Sequence, residues 1–120
     1  MQSYQNILDN LEKSDFRRKF KLKQKDKEYI NQKGLNVIKE HAYQFIKDRL
    51  APAYPINDGK QTPTKNHPVF IAQHATATCC RGCLEKWHKI EKGRKLTDYE
   101  IDFIVELITA WIERQLDKTA

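Results

Sequence analysis

Apolar residues along this chain recur at helical rather than strand spacing. Tyr4, Ile7, Leu8 and Leu11 fall on one face of a first helix. Phe16, Phe20 and Leu22 then anchor a polar stretch to something apolar. A second helix is predicted from about residue 26 to 50, with Leu35, Ile38, Ala42, Phe45 and Ile46 as its stripe and Gly34 as a possible break. Pro52, Pro55 and Pro63 forbid a helix across 51–66, and Asn57-Asp58-Gly59 is turn chemistry, so a long loop is expected there. Pro68 suits the first position of a short helix with His67 as its N-cap. Another helix is expected to start near Thr78. Thr97 and Glu100 form a capping box ahead of a final helix whose apolar face holds Ile101, Val105, Ile108 and Ile112. The pattern predicts an all-α fold: a small orthogonal bundle of four or five helices with a long loop at about 51–66.

Length adds that the 120 residues suit a single domain over 1–120, able to bury one core without staples. No apolar run approaches the roughly 20 residues that span a bilayer. The first residues show no basic region followed by an apolar stretch, so a cytoplasmic location is expected by default.

The net charge of +6 is unevenly spread. Seven basic residues and one acid, Asp26, lie between Arg17 and Lys27. Such a cluster can bind phosphate backbones by releasing counterions, so nucleic acid is a candidate partner for Arg17, Arg18, Lys19, Lys21 and Lys23. A solvated surface explains the same charge, and no nucleic-acid motif accompanies it.

Candidate chemistry is concentrated between His67 and His88. The three cysteines, Cys79, Cys80 and Cys83, are an odd and clustered set, which is a poor disulfide framework and a better start for metal ligation or redox chemistry. The run His67-Pro68-Val69-Phe70-Ile71-Ala72-Gln73-His74 through Cys79-Cys80-Arg81-Gly82-Cys83-Leu84-Glu85-Lys86-Trp87-His88 resembles a bacterial family known as domain of unknown function 4186. Arg49-Leu50-Ala51-Pro52 and Asn57-Asp58-Gly59-Lys60-Gln61-Thr62-Pro63 are similar to the same family. The resemblance covers most of the chain and implies no particular activity. Its density does point to the loop and the Cys/His segment.

Zinc in a structural site takes four ligands, held at about 2.0–2.3 Å. Cys80-x2-Cys83-x4-His88 matches the first three ligands of a zinc knuckle, but Gly93 stands where the fourth, a cysteine, would be. A fourth donor must come from upstream, from His74, Cys79, His67 or His41. If residues 79–89 are helical, Cys79, Cys80 and Cys83 converge with His74. If they form a knuckle-like turn, the set is Cys80, Cys83, His88 and His74, because about 12 Å of continuous helix would otherwise separate Cys80 from His88. Against any metal stands the fact that Cys80, Cys83, Leu84 and Trp87 share one helical face, and free cysteine behaves as a small buried hydrophobe.

A zinc-binding helical module is therefore the leading expectation. A metal-dependent hydrolase acting on nucleic acid, with Asp58 or Glu85 as general base, is the second. A basic interaction module with structural cysteines is the third. A thiol nucleophile paired with His74 or His88 is a further possibility. His67, Asp58 and Lys60 are expected to share one cleft with the cysteines, unless His67 merely caps its own helix.

Overall fold

Ser3 opens the first helix: its side chain accepts the Asn6 N–H, and α1 (Tyr4–Leu11) follows with Leu8 and Leu11 buried. The computed structural model describes residues 3–117, and among them every regular element is a helix. Ser14 repeats the device, capping a single turn, α2 (Asp15–Arg18). In α3 (Gln24–Lys33) the Asp26 carboxylate reaches back to the Lys23 N–H at 2.9 Å.

Gly34 has φ +89°, a backbone state that strains residues with a Cβ, and it ends α3 and begins α4 (Leu35–Arg49). The one helix expected over 26–50 is thus two. With the extra turn at α2, this division gives seven helical segments in an all-α fold.

The segment from 51 to 67 carries no helix or strand, as its prolines dictate. His67 then caps α5 (Pro68–Ala75), with Pro68 in the first turn. Residues 68–73 and Ala75 are all buried, so α5 is a central helix enclosed on nearly every side. It packs against α2, α3, α4 and α7. After a tight turn comes α6 (Arg81–His88), which Lys89 ends in the left-handed conformation at φ 60°.

The last helix, α7 (Asp98–Asp117), begins at the expected capping box. Glu100 accepts the Thr97 N–H at 2.9 Å, and Thr97 Oγ1 accepts the Glu100 N–H at 3.1 Å. Ile104, Val105, Leu107, Ile108 and Ile112 of α7 form the floor on which α1, α4 and α5 rest. No helix among the described residues is long and apolar enough to cross a membrane.

Candidate metal centre

Residues 76–80 turn the chain from the end of α5 into the start of α6, and this turn creates the site. Ala77 adopts φ 57°, a left-handed state uncommon for a residue with a Cβ. Its neighbours hold it there: Thr78 N–H donates to Gln73 O at 2.8 Å, Gln73 Nε2 donates to Thr78 O at 3.0 Å, and Thr62 Oγ1 donates to Cys79 O at 2.8 Å. Cys80 is the N-cap of α6, its sulfur accepting the Cys83 N–H at 3.4 Å. Because α6 is helical from Arg81, Cys83 lies one turn on and faces back toward Cys79.

The three Sγ atoms lie within 4.8 Å of one another, and Cys79 and Cys83 are 3.6 Å apart. All three cysteines are free. Among the described residues, no histidine nitrogen or carboxylate oxygen joins this triangle. Cys79 is buried, whereas Cys80 and Cys83 are part-exposed.

A guanidinium lies against two of the three sulfurs. Arg17 is buried, and its Nη2 donates to Cys83 Sγ at 3.2 Å. Its Nη1 donates to His74 O at 2.7 Å and reaches Cys79 Sγ at 3.8 Å. Trp87 and Phe16 lie around the guanidinium, 5.8 Å and 4.9 Å from it. Hydrogen bonds from Cys79 and Cys80, then from Arg17, hold the Cys83 thiol far below its ordinary pKa. Cys79 is pushed up, by its hydrogen bonds to Cys80 and Cys83 and by burial.

Arg81, between Cys80 and Cys83 in the chain, anchors the start of α6 to the surrounding loops. Its side chain is 1% exposed and donates to four backbone carbonyls: Pro52 at 2.8 Å, Glu91 and Arg94 at 2.9 Å, and Leu50 at 3.4 Å. Its own N–H donates to Asp58 Oδ1 at 3.1 Å, so Asp58 sits at the start of α6 as an anionic helix neighbour.

The histidines are placed elsewhere. His74 packs on Phe20, and its Nε2 meets Thr62 O at 3.0 Å. The Nε2 of His88 meets Thr76 O at 2.8 Å, and burial holds its pKa below the ordinary value. A carbonyl can only accept, so each Nε2 bears a hydrogen. His67 is not brought to the thiols. Its Nδ1 accepts the Val69 N–H at 3.0 Å, its Nε2 faces His41 Nδ1 at 3.0 Å, and Tyr29, Phe45 and Phe70 surround its ring. The cleft expected to unite His67 with the cysteines is not formed; His67 caps its own helix. Asp58 does reach the cysteine segment, through Arg81, while Lys60 is exposed on the loop.

A family model, Domain of unknown function (DUF4186), matches residues 5–113. The chain belongs to this family. The match takes in nearly all of α1 to α6 and most of α7, so the DUF4186 domain comprises the cysteine triangle together with Arg17 and Arg81. No solved structure matches the chain.

Sequence reasoning found the three sulfurs of the DUF4186 domain but missed their setting. Arg17 was grouped with the phosphate-binding candidates and is instead turned inward. Ser14 was a readable signal for a helix start two residues before Arg17. Arg81 and Thr62 carried no local signal, because their partners are backbone carbonyls of segments 10 to 31 positions away, and Gln73 is tied to the Thr78 turn in a way its residue type does not announce.

Proposed function

We propose that the DUF4186 domain is a metal-binding module in which Cys79, Cys80 and Cys83 hold one zinc ion as thiolates. The observation that carries this reading is the convergence of the three sulfurs within 4.8 Å. Ligands held at about 2.3 Å from one ion stand that close to one another. Charge supports it too. Three thiolates and a divalent ion leave one negative charge, and the Arg17 guanidinium at 3.2 Å from Cys83 cancels it. Donation of N–H groups to ligating sulfurs is the outer-shell support that metal sites use. The fourth position is left to a ligand from solution, since His74, expected to join the cysteines, is held on Thr62 O instead.

The hydrolase reading is less well supported, because the two carboxylates expected to act as general base are engaged in the fold. Asp58 Oδ1 takes the Arg81 N–H, and Glu85 Oε2 takes the Lys92 N–H at 3.2 Å. In the binding reading the ion ties the turn after α5 to α6, so its binding energy becomes folding energy.

Elemental analysis of untagged protein purified without chelator tests this. About one zinc per chain is expected. Cys83→Ser should lose metal and thermal stability together. A wild-type chain that carries no metal, and melts identically with and without chelator, would overturn the reading.

A further inference from the structure

The same three sulfurs are placed to react with one another when no metal occupies them. Cys79 and Cys83 stand 3.6 Å apart, and a disulfide needs about 2.05 Å, a closure within reach of side-chain rotation. The pair is asymmetric. Cys83 is part-exposed on the first turn of α6, while Cys79 is 8% exposed beneath it. Cys80 stands in the same triangle, but it differs from the pair in that its sulfur also accepts the Cys83 N–H as the cap of α6. Arg17 Nη2 donates to the sulfur of Cys83, the position at which negative charge on an attacking thiol is stabilised.

We infer that the metal-free domain is a two-thiol redox site for hydroperoxides, with Cys83 as the attacking residue and Cys79 as the resolving one. In the first step Cys83 Sγ attacks the terminal peroxide oxygen. An S–O bond forms, the O–O bond breaks, and the alkoxide or hydroxide leaves with a proton from solvent as alcohol or water. Cys83 is oxidised by two electrons to the sulfenic acid and the peroxide is reduced. In the second step Cys79 Sγ attacks the Cys83 sulfur. The S–S bond forms, the S–O bond breaks, and hydroxide leaves as water with the Cys79 proton. The net change converts two thiols and one hydroperoxide into one disulfide, one alcohol and one water. This inference does not need the zinc reading to hold. It concerns the sulfurs in their unoccupied state, and zinc on them would block it.

The test treats the full chain, freed of metal and checked by elemental analysis, with one equivalent of hydrogen peroxide, followed by alkylation and digestion. Trypsin cuts after Arg81 and separates residues 66–81 from residues 82–86. The expected product is a linked pair of these peptides, lighter by two hydrogens than their sum apart from one alkyl group on Cys80, with fragment ions placing the bond between Cys79 and Cys83. Cys80→Ser should retain the link. Cys79→Ser should stop at a sulfenic acid on Cys83 that dimedone captures. The inference is overturned if the bond joins Cys79 to Cys80, if fragmentation places it on Cys80 and Cys83, or if peroxide leaves all three thiols free to alkylate. The wild-type fragment map decides these outcomes even if a variant fails to fold. Metal content is read separately, so failure here is distinct from failure of the zinc reading.

Discussion

Arg81→Met exchanges a buried guanidinium for an apolar chain of similar reach. The substitution removes three short contacts, to the carbonyls of Pro52, Glu91 and Arg94, and a longer one to Leu50. A hydrogen bond from a charged donor contributes about 1.5–3 kcal/mol, and a buried acceptor left unsatisfied costs about 1–3 kcal/mol. Burial of the charge works against these gains, and the Nε of Arg81 has no partner among the described residues, so the sum is smaller than the contacts suggest. Three carbonyls that lose a close donor at about 1–3 kcal/mol each, less the relief of removing a buried charge, leave an expected net loss of about 3–5 kcal/mol. Domains of this size have about 5–15 kcal/mol in total, so the melting temperature should fall by roughly 10–20 °C. Arg81→Lys should lose less, about 2 kcal/mol, because one ammonium cannot reach carbonyls on both sides as a planar fork does. Urea unfolding followed by Trp87 and Trp111 fluorescence measures both variants. A methionine variant within 1 kcal/mol of wild type would show that the carbonyls are satisfied by water and that the clamp contributes nothing.

Stability should also depend on pH through His67, whose pKa burial and the neighbouring His41 lower to about 4. An unfolded histidine binds its proton near pH 6.5, so between about 6.5 and 4 the unfolded chain holds more protons and stability falls as pH drops. His67→Asn keeps a capping side chain and should flatten that part of the curve, measured by urea midpoints at each pH; an unchanged slope would remove His67 as its source. Arg17→Gln should weaken zinc binding by about 10–100-fold in competition with a chelator, the usual effect of losing an outer-shell partner, and unchanged affinity would refute the charge argument. We also propose that the exposed residues Arg18, Lys19, Lys21 and Lys23 bind nucleic acid through phosphates. Affinity for generic strands should then fall steeply with salt, and glutamine at three of these positions should flatten the dependence; no binding at low salt would return them to ordinary surface.

Much of the fold is legible because helix periodicity and capping are local. Tyr4–Leu11, the proline-bounded loop, the His67 cap and the Thr97–Glu100 box each depend on residues within a few positions of one another. Gly34 was visible as a break, but whether a glycine bends or divides a helix depends on its φ, which sequence does not display. The sulfur cluster was legible from spacing alone. Its environment was not, since Arg17 lies 62 and 66 positions from the sulfurs it meets. The basic residues around Arg17 look alike in sequence. Only packing of α2 against α5 decides that one of them turns inward while Arg18 and Lys19 stay in solvent.

The loop between α4 and α5 has no ladder of its own, yet it is fastened at several separate points. Leu50 and Pro52 are held by Arg81, Ala51 O accepts the Leu96 N–H, Asp58 takes the Arg81 N–H, and Thr62 binds both Cys79 and His74. Tyr54 and Ile56, between these anchors, are more than 80% exposed. Homologous chains should therefore accept many different residues at 54 and 56. Insertions and deletions are another matter: one residue gained or lost between 52 and 62 would pull Asp58 or Thr62 off its anchor and shift the cysteine turn with it.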